Sequence, residues 1–210
     1  MMKPKVIVNV AMSADGKLAL PDRTEVKISG EEDFKRVHEL RNRVDAILVG
    51  IGTVLADDPK LTVKERFVEE ADHPLKVVLD SNGRTPEDAQ LFDKGESLII
   101  TTEDIDREGW IRCGEDGRVD LNILMKELSK RGVEELLVEG GGEVISSFFK
   151  EGLVDEFKVY VGSLVIGGKD APTPVDGDGA DDIDGLINLK LVDYELMDDG
   201  ILLNYEVDNG

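Results

Sequence analysis

Buried-strand patterns and amphipathic helix patterns alternate along most of this chain. Short runs of aliphatic and β-branched residues predict strands buried on both faces. Apolar residues three and four positions apart predict helices between them. Alternation of this kind is typical of an α/β fold with a largely parallel sheet. The predicted strands are Lys5–Ala11, Ala46–Val49, Lys76–Leu79, Ser97–Thr101, Leu136–Val138 and Phe157–Val161.

Three helices are predicted from their caps and their apolar faces. The first begins at Ser29, where Glu32 completes a capping box. Asp120 caps the second helix and Gly132 ends it, and the third covers Glu143–Lys150. The residues expected to face inward are Phe34, Val37 and Leu40 in the first helix, Leu121, Leu124, Met125 and Leu128 in the second, and Val144, Ile145, Phe148 and Phe149 in the third.

The last part of the chain has a different pattern. Leu189–Met197 and Ile201–Val207 flank the turn Asp198-Asp199-Gly200, which predicts an antiparallel hairpin. The Gly- and Asp-rich stretch Pro172–Gly185 predicts a surface loop. We therefore expect one domain over residues 1–210, an α/β fold whose mixed, mostly parallel sheet is flanked by helices and ends in an antiparallel hairpin.

Composition excludes several classes of binding partner and indicates the cellular compartment. The 25 basic and 46 acidic residues give a net charge of −21, which repels nucleic acid and anionic membranes. The single cysteine, Cys113, excludes a disulfide framework and a Cys-based zinc site. The start of the chain has too short an apolar run for a signal peptide, and no segment reaches transmembrane length. A cytoplasmic protein without nucleic-acid, membrane or metal partners is expected.

Two predicted strands end in glycine-rich junctions suited to a nucleotide. One is Gly50-Ile51-Gly52-Thr53, followed by the polar segment Asp57-Asp58-Pro59, and the other is Glu139-Gly140-Gly141-Gly142. Glycines followed by a helix N-terminus form an anion cradle. The same glycines would also serve close packing at a tight turn. The dinucleotide fingerprint and the P-loop pattern are absent from both junctions.

Five runs in this order resemble the reductase domain of riboflavin biosynthesis. They are Ser13–Ala19, Leu40–Val63, Val77–Ser81, Leu136–Glu143 and Gly152–Tyr160. The resemblance covers nearly the whole chain and implies a dihydrofolate-reductase-like fold. It also implies an oxidoreductase in which NADPH reduces the ribosyl group of a pyrimidine nucleotide to a ribityl chain, and a homodimer. The hairpin strand Ile201–Val207 is a candidate for the dimer edge.

The resemblance implies which residues contact NADPH. Ser81, Asn82 and Arg84 also have the donors that a 2′-phosphate needs, so Asp80 is expected to point away from it. The expected cofactor-binding residues are Thr53, Asp57, Ser81, Asn82, Gly83, Arg84, Gly140, Gly141, Gly142 and Glu143.

Arg41, Leu61 and Glu139 match substrate positions of the family. Lys64 stands where the family often has arginine, which keeps the charge but loses the bidentate fork. No proton donor is identified; Asp57 and Glu139 are candidates by position, each is better suited to binding, and solvent is an alternative source. Deaminase motifs are absent, as in stand-alone archaeal and fungal reductases. The expected substrate is therefore 2,5-diamino-6-ribosylamino-4(3H)-pyrimidinone 5′-phosphate.

Three alternatives remain open at this point. They are reduction of the deaminated 5-amino-6-ribosylaminouracil 5′-phosphate, reduction of a pterin or folate, and a non-catalytic nucleotide-binding regulator.

Other polar features predict no chemistry. The acidic run Asp176–Asp184 fails the EF-hand pattern and is expected to be solvated. His38 is expected to pack at the surface or an interface, His73 has no visible partner, and Trp110 is expected to pack in a loop.

Overall fold

The computed structural model describes residues 3–208, which form eleven strands, four α-helices and a short 3₁₀ turn at Gln90–Phe92. The strands are β1 Lys5–Ser13, β2 Ala46–Gly50, β3 Leu75–Leu79, β4 Ser97–Thr101, β5 Trp110–Arg112, β6 Gly114–Glu115, β7 Arg118–Val119, β8 Glu135–Val138, β9 Glu156–Gly162, β10 Leu189–Met197 and β11 Gly200–Val207. The helices are α1 Glu31–Arg43, α2 Ile51–Asp57, α3 Leu121–Lys130 and α4 Gly142–Lys150. Among the described residues, nine strands belong to one mixed, mostly parallel sheet, so the predicted fold class is confirmed.

The chain forms two compact units. The first contains residues 3–5 together with His38–Gly141, and the second contains Val6–Val37 and residues 142–208. No helix within residues 3–208 is both long enough and apolar enough to cross a membrane.

The first unit contains five parallel strands in the order β8-β2-β3-β4-β5. Its inner strand β2 is buried along its whole length, as its unbroken apolar sequence predicts. Each buried aliphatic side chain there contributes about 1.5–3 kcal/mol to stability. This rigid strand therefore fixes the position of the chain segments that leave its carboxyl end.

The second unit contains four strands in the order β10-β11-β9-β1, with only the β1–β9 pair parallel. The C-terminal hairpin is confirmed. Its outer strand is β10, whereas β11 lies between β10 and β9. The expectation that Ile201–Val207 offers a free sheet edge is therefore wrong, because both sides of that strand are already hydrogen-bonded.

Helix α1 differs from its prediction at its N-terminus. Its first turn is capped by Asp198 of the β10–β11 turn, whose carboxylate accepts the backbone N–H groups of Glu32 and Asp33, both at 3.1 Å. The Glu32 carboxylate accepts the Asp198 N–H in return, at 3.1 Å. A capping box therefore forms across the hairpin turn, and Ser29 is not the cap. Phe34, expected inside, is 41% exposed.

Several elements of the first unit were not predicted from the sequence, namely helix α2, the 3₁₀ turn and the short strands β5, β6 and β7. Helix α2 follows β2 directly and accounts for the segment Ile51–Asp57. Trp110, expected in a loop, begins the edge strand β5, which pairs with β4. Cys113 lies just beyond that strand and is fully buried. Burial, together with the nearby charges of Glu127 and Asp120, raises its thiol pKa to about 11, so it is not a reactive thiolate.

Candidate active site

Three parallel strands of the first unit deliver the candidate site residues to one edge. Strand β2 pairs with both β3 and β8 in parallel, so their carboxyl ends lie together. The Glu139 N–H, just past β8, donates to the Leu48 carbonyl of β2 at 3.0 Å. This is the edge at which open α/β sheets bind ligands.

Arg41 and Glu139 form a bidentate ion pair at this edge. Arg41 Nε donates to Glu139 Oε1 at 2.9 Å, and Nη2 donates to Oε2 at 2.7 Å. Their side chains are 20% and 8% exposed. Two residues expected to contact the substrate separately are thus bound to each other. Each carboxylate oxygen has a second lone pair, so Glu139 can still accept a hydrogen bond from an amino group.

The segment Leu61–Lys64 lies against this pair without regular secondary structure. Arg41 Nη1 donates to the Thr62 carbonyl at 3.4 Å. The Leu61 side chain is buried, and its φ of 51° lies in the left-handed region that a leucine seldom adopts. The Lys64 side chain is exposed. The predicted substrate residues Arg41, Leu61, Lys64 and Glu139 therefore all lie in the first unit, around one buried ion pair.

Both histidines of the chain bind the backbone of this segment, and sequence reasoning missed their role. His38 is 1% exposed and not at the surface, and its ring stacks on Phe67 at 5.3 Å between centroids. Its Nδ1 accepts the Lys64 N–H at 3.3 Å, and His73 Nδ1 accepts the Val63 N–H at 3.3 Å. The spacing of His38 three residues before Arg41 was the available signal, because it puts both side chains on one helix face.

The turn after β3 is stabilised by hydrogen bonds between its own residues. Asp80 is fully buried, and its Oδ2 accepts from Thr85 N at 2.6 Å and Thr85 Oγ1 at 2.7 Å. Its Oδ1 has no hydrogen bond within the described residues, and its nearest cation is Arg84, with Nε at 3.9 Å. Asp80 thus shapes the turn, while Asn82 and Arg84 are exposed at its tip. Thr102 Oγ1 donates to the Ser81 carbonyl at 2.8 Å, so Ser81 is also fixed.

The glycines after β8 have separate structural causes. A Cβ at Gly140 would lie 2.9 Å from the Cβ and 3.0 Å from the Cα of Val49, so close packing on β2 requires glycine there. Gly141 has a φ of 61° and open space around it. At Gly142 the space is taken by the Asp176 carboxylate. Close packing therefore explains Gly140 and Gly142, and of these three glycines only Gly141 leaves room for a ligand.

Thr53 and Asp57 lie on helix α2, one at each end. Thr53 is half-buried in its first turn, and Asp57 is its exposed last residue. A Cβ at Gly52 would meet no atom within 4 Å, so this face of α2 is also open. Asp58 ends the helix with a φ of 41° and accepts the Gln90 N–H at 2.8 Å. Open space and polar side chains thus coincide at the end of β2.

The chain matches the family model described as the RibD C-terminal domain over residues 4–203. The chain belongs to this family. A 2,5-diamino-6-ribosylamino-4(3H)-pyrimidinone 5′-phosphate reductase of Methanothermobacter thermautotrophicus is 40% identical over 98% of this chain and 99% of its own length. The protein of that name from Archaeoglobus fulgidus is 43% identical over 84% of this chain and 88% of its own length.

Solved structures that resemble this chain have the same fold. RibD of Acinetobacter baumannii superposes with a TM-score of 0.84 at 28% identity over 98% of this chain, which spans 58% of that longer protein. The riboflavin biosynthesis reductase Rib7 of Saccharomyces cerevisiae has a TM-score of 0.80 at 22% identity, covering 99% and 91% of the two chains, and this likeness shows the fold alone.

Proposed function

We propose that this chain, as a single reductase domain over residues 1–210, is an NADPH-dependent oxidoreductase of riboflavin biosynthesis. It reduces the ribosylamino group of 2,5-diamino-6-ribosylamino-4(3H)-pyrimidinone 5′-phosphate to the ribitylamino product. The observation that carries the proposal is the 40% identity, over nearly the full length of both chains, with a protein that bears this reductase name.

The residues at the carboxyl edge fit a dinucleotide phosphate. Gly52 and Gly141 leave open space there, and Thr53 and Ser81 offer hydroxyl donors beside it. The exposed Arg84 guanidinium provides the charged donor that a 2′-phosphate needs, against a net charge of −21. Asn82, Gly83, Gly140, Asp57, Gly142 and Glu143 complete the proposed NADPH set. NADPH, when bound, supplies the hydride.

The proposed substrate set is Arg41, Leu61, Lys64 and Glu139. Glu139 is oriented by Arg41 and accepts from an amino group of the pyrimidine, while the exposed Lys64 ammonium suits the 5′-phosphate. Because Arg41 binds both Glu139 oxygens, Glu139 serves as an acceptor. The proton therefore comes from Asp57 or from solvent. The protein's main task is to align the hydride-donating carbon of NADPH with the accepting carbon of the ribosyl group and to exclude water.

The decisive experiment follows NADPH absorbance at 340 nm with the freshly made diamino compound. The deaminated uracil compound and dihydrofolate are measured in parallel, and NADH replaces NADPH in a further set. Turnover of the diamino compound alone, with a preference for NADPH, is the expected result. Turnover of a different substrate would replace the proposed one. NADPH binding without turnover of any of the three would favour a nucleotide-binding regulator.

We also propose a cytoplasmic homodimer that associates through strand β10. This strand is the outer strand of its sheet, and eight of its nine residues are exposed. Val192, Tyr194 and Leu196 alternate along it and are 55%, 63% and 79% exposed. A long apolar edge strand tends to pair with another chain. The one buried thiol fits a reducing compartment.

A further inference from the structure

We propose that His38 and His73 are positioning residues that hold the segment Leu61–Lys64 in its substrate-binding conformation. The proposal deepens the proposed function, because it assumes that Lys64 and Leu61 contact the phosphorylated pyrimidine. Neither imidazole touches the substrate in this scheme. Each acts through the backbone of the segment that does.

The geometry consists of three consecutive residues bound by three side chains. Arg41 donates to the Thr62 carbonyl at 3.4 Å, His73 accepts from Val63 N at 3.3 Å, and His38 accepts from Lys64 N at 3.3 Å. These are the only two histidines in the sequence. That both accept adjacent N–H groups of one irregular segment indicates that this segment has to be held in place.

The segment needs external partners for a physical reason. It lies in no helix or strand, so its backbone groups have no ladder partners, although Val63 and Leu61 are almost fully buried. Buried backbone groups left unpaired are costly. Leu61 also has a positive φ, which is unfavourable for a residue with a side chain. Such a conformation persists only where the surroundings impose it.

We call the contacts of Arg41, His38 and His73 with this segment the backbone clasp. The clasp works only with neutral imidazoles, because a protonated Nδ1 would donate a hydrogen bond and could not accept one. Both sites favour the neutral form. Burial, then the charges of Arg41 and Lys64, lower the pKa of His38 to about 4, while Glu139 opposes the shift and Arg66 adds to it. Burial and the charges of Lys94 and Lys76 lower the pKa of His73, against Asp72 and Glu65. Both histidines are therefore acceptors at neutral pH.

The first test compares His38→Leu with His38→Asn, because the asparagine carbonyl can still accept near the Nδ1 position. We expect His38→Leu to raise KM for the diamino substrate about tenfold, with KM for NADPH changed less than about twofold. His38→Asn should recover most of the loss. His73→Leu and His73→Asn form a second pair at a half-buried site, which carries the test if His38→Leu does not fold. An equal loss in all kinetic constants, or a failure of both Asn variants to recover, would overturn the proposal.

A double-mutant cycle asks whether His38 acts through Lys64. In a Lys64→Met background the charged contact is already absent, so His38→Leu should add less than about twofold to the substrate KM. Independent, multiplicative effects would contradict positioning through Lys64.

Hydrogen exchange separates this inference from the proposed function. The Val63 and Lys64 amides should exchange about tenfold faster in the Leu variants than in the wild type, whether or not the pyrimidine is the substrate. If the wild-type enzyme fails to reduce the pyrimidine but these amides lose protection, the proposed function fails and the backbone clasp stands without its substrate role. Unchanged exchange in both Leu variants would show that there is no clasp.

Discussion

At the residue scale, the pairing of Arg41 with Glu139 changes how both side chains are understood. The sequence suggested two independent substrate contacts, and the structure gives one buried, bidentate unit with Oε1 and Oε2 both occupied. A buried pair of this kind contributes little compared with an apolar pair, but removing one partner leaves an uncompensated charge. The two residues should therefore not be interpreted separately in mutagenesis.

Replacing Arg41 with alanine should lower the free energy of unfolding by about 3 kcal/mol, because the 8% exposed Glu139 carboxylate loses both donors. Urea unfolding measures the change. Lys130→Ala is the matched control, since Lys130 pairs with Glu127 at the surface and is 57% exposed. That control should cost less than about 1 kcal/mol. Equal losses in the two variants would mean that the Arg41 pair is effectively solvated.

Acid should destabilise the protein through His38. Its pKa is about 4 in the folded chain and near 6.5 when unfolded, so between these values only the unfolded state binds the proton. The stabilisation is complete above pH 6.5 and is lost as the pH falls, at about 1.4 kcal/mol per pH unit. Urea unfolding from pH 7 to pH 4 tests this. In His38→Asn the free energy of unfolding should depend less steeply on pH, by the contribution of one bound proton. An identical pH dependence in both proteins would contradict the lowered pKa of His38.

At the element scale, the local sequence predicts the positions of helices α1 and α3 better than it predicts the residues that cap their N-termini. Helix α3 starts as predicted, because Asp120 accepts the Asn122 and Ile123 N–H groups from its own chain neighbourhood. Helix α1 is capped by Asp198, 166 residues from Glu32. A capping residue that arrives through tertiary structure leaves no local signal, so Ser29 was a reasonable but incorrect expectation.

Asp198→Gly should destabilise the second unit by about 1–2 kcal/mol. Glycine accepts the φ of 52° at this position without strain, so the loss reports on the missing carboxylate. Asp199→Gly in the same turn is the control for added backbone freedom. Thermal or urea unfolding of both variants gives the comparison. If the two lose the same stability, the cap on α1 contributes nothing measurable.

At the scale of the whole molecule, the net charge of −21 and the apolar strand β10 have opposite effects on association. Like charges keep chains apart, especially at low ionic strength. The exposed Val192, Tyr194 and Leu196 favour pairing at the sheet edge. Association should therefore strengthen as salt screens the charge.

Leu196→Glu should convert the proposed dimer to a monomer, because it puts a charge at the most exposed apolar position of β10. Sedimentation velocity at low and high salt measures the molecular mass. Ile183→Glu is the matched control, since Ile183 is 83% exposed but lies in the Gly- and Asp-rich loop. A wild-type monomer at all salt concentrations, or a dimer that survives Leu196→Glu, would exclude this edge.

The sequence predicts most of the long elements, the parallel core and the family. Continuous apolar runs such as Ala46–Val49 indicate strands buried on both faces, and such signals are local. It also supplied the substrate candidates Arg41, Leu61, Lys64 and Glu139 through motif resemblance. The helical segment Ile51–Asp57 was missed, because its short apolar pattern resembles a strand end.

Which side chains meet depends on the tertiary structure. The Arg41–Glu139 pair joins residues 98 positions apart, His38 reaches Lys64 across 26 positions, and Asp198 caps a distant helix. Hydrogen bonds depend on distances of about 3 Å, and sequence separation carries no information at that precision. Local patterns therefore specify which elements form, and only the packed fold specifies how their polar groups pair.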